Sequence, residues 1–100
     1  MKTEEIDSKV RQITSVLKAS GVRRVGVFGS VLRNEERSDS DIDIYLEFGE
    51  EQKTYDHLFQ VSESLEEVFD RHVDVVTADS LSRHIGPKIL ATVHYVDIRS

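Results

Sequence analysis

Residues 29–48 read GSVLRNEERSDSDIDIYLEF, and their last eight members decide the fold. In DIDIYLEF the side chains alternate strictly. Ile42, Ile44, Leu46 and Phe48 point one way from an extended chain, and Asp41, Asp43, Tyr45 and Glu47 point the other. A half-buried strand over 41–48 is therefore predicted, with carboxylates at alternate positions leading into it. Burying charge is costly unless the charge is paired or coordinates a metal, so the stretch asks for a cation.

On the N-terminal side, Ile6, Val10, Ile13 and Leu17 recur at spacings of 4, 3 and 4, which predicts one amphipathic helix over 4–19. Ser20-Gly21 ends it. VRRVGVF (22–28) reads as a strand, Gly29-Ser30 opens a short turn or helix over 30–35 that Asn34 closes, and 35–40 form a polar loop. Beyond the central strand, GEEQK (49–53) is a turn. Leu58, Val61, Leu65, Val68 and Phe69 then predict a second helix over 54–70. HVDVVT (72–77) is a third strand, and a short helix over 81–92 has Pro87 near its first turn. VHYVDI is either a short edge strand or a tail. The order α-β-α-β-α-β-α-β implies an α+β (mixed α/β) fold: one domain over residues 1–100, with a small mixed sheet and helices packed on it.

A chain of 100 residues with 38% hydrophobic and 32% charged residues has the composition of a soluble globular domain. Cysteine is absent, which excludes disulfides and thiolate metal sites and is compatible with a reducing cytosol. No apolar run approaches the roughly 20 residues of a membrane span. MKTEEIDSK lacks the apolar core of a signal peptide, so a cytoplasmic protein is expected. The net charge of -6 argues against direct nucleic-acid binding, but the charge is unevenly spread. Residues 8–34 hold six basic side chains and no acidic one, whereas 35–51 hold eight acids and only Arg37. Two solvated faces of opposite sign, or a basic wall for phosphates beside an acidic cradle for metal, both fit this pattern.

Side chains two apart on a strand lie roughly 6.5–7 Å apart on one face, so Asp41 and Asp43 can converge on one or two divalent cations. Magnesium suits hard oxygen ligands, and two ions suit an in-line phosphoryl or nucleotidyl transfer. Asp74, a charge inside HVDVV, is the candidate third carboxylate from a neighbouring strand. Calcium is the competitor, because Asp39, Asp41, Asp43 and Glu50 stand at the first, third, fifth and twelfth places of an EF-hand loop. Ile44 occupies the place where that loop needs glycine, and 44–48 alternate as a strand. Gly29 allows close approach of a ligand, and amides at a strand-to-helix turn bind phosphate, with Ser30 adding a hydroxyl. No Walker lysine follows, and no G-x-S-x-G elbow is present. His57, His72, His84 and His94 show no metal spacing and are read as structural or surface residues. Arg83 and Lys88 are candidate partner contacts.

Taken together, Gly29-Ser30, a ten-residue spacer, Asp41-Ile42-Asp43 and a later Asp74 resemble the nucleotidyltransferases of the DNA polymerase β superfamily. The spacer, Arg33 and the phrase SDSDIDI are most similar to its minimal nucleotidyltransferases. The resemblance implies that Gly29 and Ser30 hold the β- and γ-phosphates, with Arg33 beside them or bracing the loop, a surface ion pair being the alternative for Arg33. It also implies that Asp41 and Asp43 bind two magnesium ions, and that Asp74 ligates one of them and helps activate an acceptor hydroxyl. Tyr45, on the same face, is read as packing, or else as bordering the nucleotide. Such domains often act beside a HEPN-domain protein encoded nearby. In the toxin–antitoxin version the transferase is the antitoxin and attaches AMP from ATP to a tyrosine of the HEPN toxin. Two positions depart from the pattern: Val31, commonly basic or aromatic, and Asn34, commonly glycine. A domain this small is expected to borrow part of its site from a partner or a second copy. The alternatives are an idle antitoxin that works by occlusion, and a small-molecule or RNA-end transferase.

Overall fold

The computed structural model describes residues 1–29, 41–80 and 86–98. Along them run α1 (Thr3–Arg11), α2 (Thr14–Ala19), β1 (Val22–Phe28), β2 (Ile42–Phe48), α3 (Tyr55–Phe69), β3 (Val73–Thr77), a 3-10 turn (Ala78–Ser80), α4 (Gly86–Thr92) and β4 (His94–Val96). The expected turn or helix at 30–35, the loop at 35–40 and the first residues of the 81–92 helix lie outside the described residues. The tail alternative for VHYVDI is replaced by an edge strand.

The four strands form one mixed sheet in the order β3-β2-β1-β4. β1 runs antiparallel to both β2 and β4, while β2 and β3 are parallel and joined through α3. A parallel pair needs such a crossover, and a helix supplies it while covering one face of the sheet. The alternation read in β2 holds on that face: Ile42, Ile44 and Leu46 are fully buried. They meet Val61 and Leu65 of α3 and Leu17 of α2 in one apolar cluster.

The N-terminal helix departs from expectation, because two helices replace one. The Ile13 amide donates to the Val10 carbonyl at 3.1 Å, a three-residue step, and the Gln12 amide is shared between Ser8 and Lys9 at 3.3 Å each. The Thr14 hydroxyl donates to the Arg11 carbonyl at 2.9 Å. A β-branched pair, Ile13-Thr14, crowds the turn, and the hydroxyl competes for a backbone carbonyl. The break leaves the apolar stripe intact, since Ile6, Val10, Ile13 and Leu17 are all buried.

On the opposite face the sheet is more open and more polar. Gly26 of β1 is required there, since a Cβ would run into the Val93 side chain. Tyr45 is buried on this face even though it alternates with the core residues. Tyr95 of β4 packs edge-on against it with ring centroids 6.4 Å apart, and Arg24 lies over the Tyr95 ring at 4.8 Å. Burial first, then the nearby Glu47 carboxylate, push the Tyr45 phenol above its ordinary pKa. The hydroxyl stays protonated and donates to Glu47 Oε2 at 3.3 Å. The packing reading of Tyr45 holds.

α3 sets the spacing between β2 and β3, and its first turn is fixed by Thr54. The Thr54 hydroxyl accepts the His57 amide at 3.1 Å, satisfying one of the helix's free donors. At the other end Asp70 takes the left-handed conformation, φ 53°. Thr54→Ala is expected to cost about 1 kcal/mol. Urea unfolding should show a lower midpoint at unchanged slope, and thermal melts a drop of about 4–8 °C.

Candidate metal and nucleotide site

The site grows out of the β1–β2–β3 register. Phe28 pairs with Asp43, and Asp43 pairs with Asp74, so the end of β1 and two carboxylates lie side by side across three strands. Neighbouring strands are about 4.8 Å apart, which brings the two acids well within reach of a shared ligand. The Ile42 amide donates to the His72 carbonyl at 3.0 Å, extending the parallel ladder by one residue. Asp41 is thereby drawn level with His72, as Asp43 is with Asp74.

Gly29 follows β1 directly and adopts φ +85°, a conformation that suits glycine and strains other residues. A Cβ at this position would run into Asp43 Oδ2. The glycine therefore does two things: it turns the chain at the strand end and leaves room for a carboxylate against the backbone. Ser30 and Arg33, the other candidate nucleotide-binding residues, lie outside the described residues, as do Val31, Asn34, Asp39, Arg83 and His84.

A carboxylate oxygen from each of Asp41 and Asp74 and a ring nitrogen of His72 lie within 4.8 Å of one another. His72, read as a structural or surface residue, is exposed, and its ring stands beside two of the candidate ligands. His72 Nε2 is 3.1 Å from Asp74 Oδ1, and its Nδ1 is 2.8 Å from Glu66 Oε2 on α3. Glu66 Oε2 also accepts the Val73 amide at 3.1 Å. Desolvation pulls the imidazole pKa down, but the carboxylates of Asp41, Asp74 and Glu66 together outweigh it and hold it above the ordinary value. The sequence shows only part of this arrangement. Two residues before Asp74 on a strand, His72 shares Asp74's face. The other described histidines serve packing: His94 Nε2 is 2.8 Å from Asp7 Oδ1, tying β4 to α1, and His57 Nδ1 is 2.7 Å from the Gln52 carbonyl oxygen.

The donor set fits a divalent cation. Carboxylate oxygens are the ligands that magnesium takes, and the exposure of Asp41, His72 and Asp74 leaves space for waters and a phosphate-bearing substrate to complete the coordination. A strand-end glycine beside converging carboxylates is the layout of a phosphoryl- or nucleotidyl-transfer centre.

The polymerase beta nucleotidyltransferase family model matches residues 11–96, and the chain belongs to that family. Over 94 residues it is 38% identical to the protein adenylyltransferase MntA of Thermococcus cleftensis, covering 93% of this chain and 94% of the relative. In structure it superposes on a minimal nucleotidyltransferase with a TM-score of 0.79 at 30% identity, over 94% of this chain and 95% of the other. A more distant match, with a TM-score of 0.60 at 19% identity over 88% and 68% of the two chains, shares the fold. It is a complex of a tri-AMPylated Shewanella oneidensis HEPN toxin with its MNT antitoxin. The expectations of a nucleotidyltransferase enzyme and of a mixed α+β fold are met.

Replacing Gly29 by Ala should destabilise the fold by about 1–2 kcal/mol, the cost of a left-handed conformation in a residue with a Cβ. It should also displace the Asp43 carboxylate. Urea unfolding measures the first effect. Nucleotidyl transfer by the folded fraction measures the second, with the expected loss exceeding the unfolded fraction.

Proposed function

We propose that the protein transfers AMP from ATP, with magnesium, to a hydroxyl of a HEPN-type partner, a tyrosine being the acceptor, and that it thereby acts as an antitoxin in the cytoplasm. The observation that carries this reading is the register that aligns Phe28, Asp43 and Asp74 with Gly29 at the strand end. The kinship with MntA and with the antitoxin fold of an AMPylated HEPN complex supports the choice of nucleotide and partner.

In this reading Asp41, Asp43 and Asp74 hold the cation. Gly29 and Ser30 seat the β- and γ-phosphates, and Arg33 balances their charge. A bound divalent cation supplies Lewis-acid stabilisation of the charge that develops on the phosphate oxygens. The acceptor oxygen bonds to the α-phosphorus as the bond from that phosphorus to the bridging oxygen breaks, and pyrophosphate leaves. Asp74, exposed on β3, is placed to take the acceptor's proton. His72 occupies one side of Asp74 and Asp43 its register partner, so the carboxylate has a fixed orientation when the acceptor arrives. The polar sheet face around Arg24, Glu47 and Tyr95 is open to a partner's surface, which can complete a site this small domain does not enclose.

The test is incubation with α-labelled ATP, magnesium and the HEPN-type protein encoded alongside, comparing wild type with Asp41→Ala/Asp43→Ala. Label on the partner that disappears in the variant is the expected result, with transfer reduced at least 1,000-fold, about 4 kcal/mol of transition-state stabilisation. No label, with partner activity suppressed equally by both forms, would leave occlusion as the mode of action.

A further inference from the structure

We propose that His72 is a further protein ligand of the cation, beside Asp41 and Asp74, backed by Glu66, and that it biases this position toward manganese over magnesium. The inference rests on the metal-dependent reading above and adds a nitrogen donor to an otherwise all-oxygen set.

Three features of the chain converge on His72. The parallel register puts its side chain on the face of Asp74 and level with Asp41, so that donor atoms of all three lie within 4.8 Å of one another. His72 Nε2 and Asp74 Oδ1 are hydrogen-bonded at 3.1 Å, a separation that two neighbouring ligands of one ion could also have. With bonds near 2.1 Å, adjacent octahedral positions are about 3.0 Å apart.

The third feature is the contact at the ring's other nitrogen. A carboxylate only accepts, and Glu66 Oε2 stands 2.8 Å from His72 Nδ1, so Glu66 holds a proton on that nitrogen. Asp74 Oδ1 likewise accepts from Nε2 at 3.1 Å, so a cation that takes Nε2 would replace that hydrogen bond while Glu66 keeps the Nδ1 side of the ring in place. Glu66 is itself fixed, because the same Oε2 accepts the Val73 amide at 3.1 Å. A carboxylate that orients a histidine for metal binding is a recurrent arrangement around protein metal ions. Imidazole is a poor match for magnesium and a better one for first-row transition cations, so its presence raises the manganese-to-magnesium affinity ratio.

The experiment uses the nucleotide-free protein and Mn2+ as the probe. Free manganese is counted by electron paramagnetic resonance, magnesium is added as competitor, and electron spin-echo modulation reports any directly bound nitrogen. Wild type is expected to show imidazole nitrogen coupling. His72→Gln should lose that coupling and about tenfold or more in manganese affinity, with magnesium affinity changed less than about threefold. Glu66→Gln keeps an acceptor for the Val73 amide; it should retain the nitrogen signal and bind manganese about tenfold more weakly. Circular dichroism checks that both variants are folded.

Manganese bound without nitrogen coupling in wild type, an equal manganese-to-magnesium ratio in wild type and His72→Gln, or no detectable binding would each overturn the proposal. If AMP transfer still depends on Asp41 and Asp43 in that case, the function stands and only the histidine ligand falls.

Discussion

Asp43 and Asp74 occupy paired positions on adjacent parallel strands, and like charges set directly opposite each other in a sheet repel. Much of the fold exists to hold this unfavourable pair in place. Slipping β3 by one residue would turn Asp74 toward the helices and bring Val73 and Val75 out of the core. The apolar cluster resists that slip, since Ile42 and Ile44 of β2 are fully buried and pair with Val73 and Val75. α3 adds its own constraint by spanning the crossover at fixed length, with Thr54 holding its start and the Glu66–Val73 bond tying its last turns to the first residue of β3. The hydrophobic effect on one face thus maintains the electrostatic strain on the other.

The two faces of the sheet divide the labour. Beneath the helices, packing of Val25, Val27, Ile42, Ile44 and Leu46 fixes distances between strands. The other face carries Asp43, Tyr45, Glu47, Arg24 and Tyr95, where charge and ring contacts replace aliphatic packing. Gly26 and Gly29, both on β1 or just past it, are the points where backbone must come close: to the Val93 side chain in one case, to a carboxylate in the other. β1 is accordingly the strand that needs small residues, and β2 the strand that supplies the functional ones.

The central strand and its acids were legible because period-two alternation is unambiguous when every second residue is large and apolar, as in DIDIYLEF. Asp74 was legible for a related reason, as a charge inside an otherwise apolar run. Three features were not. The break between α1 and α2 leaves the helical spacing of Ile6, Val10, Ile13 and Leu17 unchanged, so only the local competition of Thr14 for the Arg11 carbonyl reveals it. Tyr45 reads as packing, but its partner Tyr95, about fifty residues away, is something alternation within one strand does not report. His72 lacks any metal-ligand spacing along the chain. Its neighbours Asp41 and Glu66 come from β2's entry and from α3, and only strand pairing joins them.

β3 lies at the edge of the sheet, with one side of its backbone unpaired by any described strand. Its sequence, VDVVT, holds four β-branched residues and a single charge. Such a segment is a template for further strands, and a charge within it is a common means of preventing that. Asp74 thus bears on solubility as well as on the candidate site: the carboxylate that lies beside Asp41 and His72 also keeps identical edges from pairing between molecules. A chain that exchanged this residue for an apolar one would acquire an adhesive edge at the same moment, which ties the upkeep of the candidate site to the upkeep of the surface.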